Sequence, residues 1–242
     1  RLGAFIEPCA RPRPKSTSRP ASRTAMRPAE PLGRPPRAAA FLRARVRDLC
    51  RHWVWIYLGA ITLYLGGALA APLLARAGNE RLASGLYAVY RLSCHQLPHH
   101  SWFLGGPSSA YAWSAVQPFG PWGPEDEALA FHHPLRTPAL GYQLAICQRD
   151  VAIWAALLLG SVVLVSASTT LGRGKPRPIR LRHYGLAALP MAIDAGTQLL
   201  GWRESTPLLR SLTGGLFGLA TAALVLPLLA EGFADLQADL ER

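Results

Sequence analysis

The sequence predicts an all-α, polytopic membrane protein: a four-helix transmembrane bundle with an amphipathic helix at its outer surface and a long outer loop. Three observations point there. Half of the 242 residues are hydrophobic and only 17% are charged. Four apolar stretches come close to or exceed the roughly 20 residues a helix needs to cross a bilayer. Basic residues are concentrated in two segments that four such spans would leave on the same face.

Composition also excludes classes. The chain is too apolar for a disordered protein, and its 4 cysteines are too few for a disulfide-dense scaffold. The formal charge of +12 invites a nucleic-acid reading. However, residues 1–51 hold 13 of the 26 Lys+Arg and 3 of the 14 acids, which leaves +2 for the remainder. No folded basic domain remains, so no nucleic-acid partner is expected.

In chain order, residues 1–50 read as a disordered, Arg/Pro-rich cytoplasmic leader, residues 51–235 as the membrane domain, and 236–242 as a C-terminal tail. The first methionine is Met26, which leaves open whether residues 1–25 belong to the natural chain. The first span, Trp53 to Leu74, has 22 residues and no charge. Ala68-Leu69-Ala70 also resembles a signal-peptidase site, but the length of the apolar run favours an uncleaved anchor. The second span is expected over 142–167, the third over 184–202 and the fourth over 207–230. Thr206 and Pro207 supply helix-entry chemistry for the fourth.

Charge then orients the spans. The leader is strongly basic. Residues 76–141 hold four arginines against four acids, whereas 168–183 hold five basic residues and no acid. Both termini are therefore expected in the cytoplasm of a cell-membrane protein, with 76–141 and the 203–206 turn outside. Within the outer segment, Leu82, Leu86, Val89 and Tyr90 follow helical spacing and predict an amphipathic helix at the outer surface. Residues 105–141 contain six prolines, five glycines and Tyr111, Trp113, Phe119, Trp122 and Phe131, and these aromatics read as headgroup-level anchors. The pairs His99/His100 and His132/His133 could supply metal donors, but exposed loop histidines are usually only solvated, and they read as such.

This topology brings the polar residues of the spans to one side. Helical rise puts Cys147 and Asp150 roughly 8 and 12 Å below Tyr142, Asp194 about 12 Å below Trp202 and Arg210 about 6 Å below Thr206. Gln143, Cys147 and Asp150 would share one helix face, and so would Asp194, Gln198 and Gly201. Ionised groups inside a membrane are costly, so Arg149, Asp150, Asp194 and Arg210 are expected to pair, with Asp194 meeting Arg210 or Arg149 and Asp150 the other arginine. Asp194, Gln198, Arg149 and Arg210 are the catalytic candidates if the site works on a substrate; interhelical glue is the simpler role.

Cys94 and Cys147 both fall on the outer side. They can form a disulfide, or join His95 and Asp150 in a set of S, N, S and O donors acceptable to zinc or another transition metal. Gly214 and Gly218 offer a small-residue face for bundle packing or for a homo-oligomer. No phosphate-binding glycine loop, Gly-x-Ser-x-Gly, His-Glu-x-x-His or internal repeat is present.

Cys94-His95-Gln96-Leu97-Pro98, Cys147-Gln148-Arg149-Asp150 and Asp194-Ala195-Gly196-Thr197-Gln198 occur in that order. Arg203-Glu204-Ser205-Thr206 and Leu212-Thr213-Gly214 follow. Over about residues 50–235 this pattern resembles the prokaryotic membrane proteins grouped as domain of unknown function 2085. The resemblance implies Cys-His-Gln followed by Cys-x-Arg-Cys, a metal or thiol-redox set. Here Asp150 stands at the last cysteine, which keeps a metal ligand but removes the dithiol. No reaction follows from the resemblance. Three functions stay open: an outward-facing metal site acting on lipid or envelope substrates, a structural or partner-binding membrane protein stapled by Cys94–Cys147, and a small oligomeric transporter working through Asp150, Asp194 and Arg210.

Overall fold

The computed structural model describes residues 37–122, 130–170 and 176–242. Most of the leader, part of the outer loop (123–129) and Arg173 and Lys175 of the basic loop lie outside the described residues. The chain is mostly helical. Its helices are α1 (Arg37–Arg76), α2 (Glu80–Tyr90), the short α3 (Trp113–Val116), α4 (Gln148–Thr170), α5 (Leu181–Leu199) and α6 (Pro207–Leu240). Three strands, β1 (Ser101–Leu104), β2 (Arg136–Thr137) and β3 (Gly141–Cys147), form an antiparallel sheet in the order β1-β3-β2.

Helices α1, α4 and α6 are long and apolar enough to cross a membrane. Each also leaves large apolar side chains exposed, among them Leu63, Leu159 and Leu212, a surface that suits lipid and not water. The protein is thus a multi-pass membrane protein. The expected third span forms α5, whose 19 residues would reach about 28 Å. It carries buried Asp194 and is not among the three helices long and apolar enough to cross a membrane.

The observed boundaries correct the expectations at two places. Residues 37–50 are not disordered: they are the first turns of α1, where an Ala/Arg/Leu-rich composition favours helix. That helix stops at Gly78, whose φ of +81° is open to glycine, while Asn79 N–H closes back on the Leu74 carbonyl at 2.9 Å. The second correction is larger. Residues 141–147, expected as the first two turns of a span, are strand β3, and the helix begins only at Gln148. Gly141 opens the strand at φ +90°, packed so closely on Leu104 and Gly106 that a Cβ would meet their backbone at 2.6 Å. Ser101 then pairs with Cys147 and Phe103 with Gln143. The segment is apolar enough for either state, and pairing with β1 decides it. An all-α architecture therefore holds for the long elements only.

Helix packing is set by small residues. A Cβ at Gly218 would stand 2.3 Å from the Ile153 carbonyl, and one at Gly214 would stand 2.8 Å from the Arg149 carbonyl. The Gly214/Gly218 face is thus filled by α4 of the same chain, not left for a second copy. Helix α5 packs on the same α6, and α1 closes against α4 and α6 through Trp53, Val54, Val165, Leu226 and Ala230.

The segment between α2 and α4 has its own small core of Phe103, Val116, Trp122, Ala130, Leu135 and Leu140. Trp122 is buried there instead of anchoring at headgroup level, and Tyr111 and Trp113 pack against it. Phe119 and Phe131 stay exposed. Helix α2 forms where expected, capped by the Asn79 side chain. It buries Ala83, Tyr87 and Tyr90 against α1 and β3, while Leu82 and Val89 remain outward.

Candidate functional site

The polar residues gather where the N-termini of α4 and α6, the C-terminus of α5 and a 3-10 turn at Pro98–His100 meet. Asp194 is 1% exposed. Its two oxygens are taken by different arginines: Arg149 Nη2 donates to Oδ2 and Arg203 Nη2 to Oδ1, both at 2.7 Å. Arg149 Nη2 also stands 3.3 Å from Gln198 Oε1. The expected Asp194–Arg149 pair is present. Arg203, one turn beyond α5, is the partner that residue spacing did not single out.

Arg210 is almost as deep at 3% exposure, and it pairs elsewhere. Its Nη2 donates to Glu204 at 3.1 Å, and its Nη1 to the His99 carbonyl and to Gln148 Oε1, both at 3.2 Å. Gln148 Nε2 in turn donates to the Ser101 carbonyl at 3.0 Å, which ties the start of α4 to β1. His100 joins the two arginine centres: its Nε2 lies 2.8 Å from Gln198 Nε2 and 3.2 Å from Glu204 Oε2.

The reading of His99 and His100 as solvated loop residues is corrected here, since the 3-10 turn folds both inward. Burial is the main cause that holds their pKa values down, His99 to about 4 and His100 to about 2. At neutral pH the ring is therefore uncharged, and the His100–Glu204 contact is not an ion pair. The adjacency of Pro98 to the histidines was the one visible signal, since proline at the first position favours such a turn.

Asp150 departs from expectation. No arginine pairs with it among the described residues. Its carboxylate stands with the thiols of Cys94 and Cys147, and the three donor atoms lie within 4.8 Å of one another. Cys94 is buried on the coil after α2, Cys147 ends β3 and Asp150 is in the first turn of α4. The Cys147 N–H donates to Cys94 Sγ at 3.2 Å and the Asp150 N–H to Cys147 Sγ at 3.4 Å. Both thiols are free. The Cys94 sulfur beside it, and then burial, push the Cys147 thiol well above its ordinary pKa.

His95 is exposed and stacks edge-on against Phe131, outside this group of three. Gln96, at φ +56°, turns the chain there and donates to the carbonyls of Tyr87 at 2.8 Å and Ala145 at 3.0 Å. Gln143, fully buried, donates to the Gln96 carbonyl at 2.7 Å and accepts from the Leu135 N–H at 2.8 Å. It is a staple of the sheet, and it does not share a helix face with Asp150.

A cavity of about 480 Å³ connects these groups. Cys94, His95, Cys147 and Asp150 line one part of it, and His100, Arg149, Gln198 and Glu204 another.

Residues 133–234 match the family described as predicted membrane protein (DUF2085). The matched segment contains Cys147, Arg149, Asp150, Asp194, Gln198 and Arg210, and it begins after Cys94-His95-Gln96. An uncharacterized protein of Methanocaldococcus jannaschii is 26% identical over 187 residues, covering 75% of this chain and 94% of its own length. The family is one of unassigned function, and the archaeal relative fits its prokaryotic character. No solved structure matches.

Proposed function

We propose that this DUF2085-like chain crosses the membrane four times, with both termini cytoplasmic, and holds a transition metal in the cavity that opens outward. The carrying observation is the convergence of Cys94, Cys147 and Asp150, whose donor atoms lie within 4.8 Å although the cysteines are 53 positions apart. Two sulfurs and a carboxylate oxygen are an accepted zinc set, and a fourth position would face the cavity. Such an open position is what metal-assisted chemistry on a lipid or envelope substrate needs. His95 lines the same cavity and is the sequence-predicted candidate for it. Binding would release the thiol protons, since thiolates are the ligands.

The test is metal analysis of purified protein with a free-thiol count. Bound metal, lost in Cys94→Ser and Asp150→Asn protein, supports the reading. Metal-free protein in which two thiols become titratable only after reduction would replace it with the Cys94–Cys147 disulfide. Topology is tested separately by labelling engineered cysteines from outside: one at Ser109 is expected to react and one at Arg177 is not. The reverse pattern overturns the orientation.

A further inference from the structure

His99, His100 and Glu204 are absorbed neither by the cysteine site nor by the Asp194 ion pairs. We infer that they form a second metal site, for an exchangeable divalent transition ion, in the wall between two cavities. One nitrogen of each ring and a carboxylate oxygen lie within 4.8 Å of one another. The donors of a tetrahedral zinc ion, with bonds of about 2.0–2.2 Å, stand roughly 3.3 Å apart. His100 Nε2 and Glu204 Oε2, at 3.2 Å, already have that spacing. The longest edge needs to close by roughly 1.5 Å to match it.

Two imidazoles and one carboxylate leave coordination positions open, as in sites where an ion activates water or binds substrate. Those positions would have somewhere to face. Glu204 lines both the 480 Å³ cavity and a neighbouring one of about 350 Å³; His100 lines the first and His99 the second.

The surroundings orient the donors as metal sites require. Arg210 Nη2 fixes the Glu204 carboxylate at 3.1 Å, and the Gln198 amide, 2.8 Å from His100 Nε2, gives that nitrogen up when the ion binds. The Arg210 charge also repels a cation, so this site holds its ion more weakly than the same ligands would alone. That repulsion is why the ion is exchangeable and not structural. The inference does not depend on the cysteine site, though both would face one cavity.

Cobalt(II) titration of the untagged protein separates the two, because only thiolate ligands give an intense near-ultraviolet sulfur-to-cobalt band. Cys94→Ser/Cys147→Ser protein is expected to keep one equivalent of cobalt without that band. Adding either Glu204→Gln or His100→Gln is expected to remove it. A Cys94→Ser/Cys147→Ser variant that binds no cobalt, or whose cobalt survives both additions, overturns the inference. Glu204→Gln in the otherwise native chain guards against misfolding of the double variant. It is expected to lower the cobalt stoichiometry by one and leave any thiolate band unchanged; an unaltered stoichiometry overturns the inference as well.

Discussion

Asp150 and Asp194 are two carboxylates at the same end of the helices, and the fold treats them oppositely. Asp194 is sealed between Arg149 and Arg203, each at 2.7 Å. Asp150 has no arginine within ion-pair distance among the described residues and instead stands within 4.8 Å of two thiols in the lining of a cavity. Burial with full charge compensation makes a structural joint, because both carboxylate oxygens are already held by cationic donors. A carboxylate beside sulfur donors and open space retains its capacity to bind.

Removing Asp194 is the strongest way to break this comparison. Asp194→Ala leaves two guanidinium groups without their shared anion, one of them mostly buried. The expected cost is about 3–5 kcal/mol, read as a lowered unfolding midpoint in detergent or nanodiscs. Metal content per folded molecule is expected to stay unchanged; its loss would show that the two carboxylates form one site. The two arginines sharpen the point. Arg149→Ala, at 19% side-chain exposure, is expected to cost on the order of 2 kcal/mol. Arg203→Ala, at 39%, is expected to cost less than about 1 kcal/mol because solvent screens it. Equal losses would mean that the solvent-facing partner carries as much as the sheltered one.

Asp150→Asn is the converse case. Its effect on stability is expected to stay under about 0.5 kcal/mol, since no ion pair is lost, while bound metal disappears. A large destabilisation with metal retained would reverse the roles assigned to the two acids.

The smallest expected effect is on pH dependence in the metal-free protein. His99 and His100 are held neutral, with pKa values of about 4 and about 2 against 6.5 when unfolded. The unfolded chain therefore binds more protons below pH 6.5. Stability from these two residues is fully present above that pH and falls as the pH drops toward 4. A His100→Gln variant is expected to show a shallower acid slope than the native chain, measured as unfolding midpoint against pH.

The partners of these residues were legible to different degrees in the sequence. Asp194 with Arg149 could be anticipated, because an acid within an apolar helix requires a base and few bases are near it. Arg203 and Glu204 were quoted within a motif, but nothing in their spacing showed that one would close on Asp194 and the other on Arg210. His99 and His100 resemble any polar loop pair until the 3-10 turn folds them beneath the loop. Asp150 was assigned an arginine on the assumption that 142–150 is helical. Once 141–147 is a strand, the geometry that would have placed it there is gone.

By itself the sequence determined the long apolar helices, the cap at Thr206 and the amphipathic α2. Those follow from local propensity, hydropathy and charge, which act over a few turns of chain. Only the tertiary structure decided that 141–147 pairs with β1, that Gly214 and Gly218 receive α4 of the same chain, and which arginine meets which acid. Strand pairing, helix approach and ion-pair choice depend on groups distant in sequence, so no local pattern specifies them.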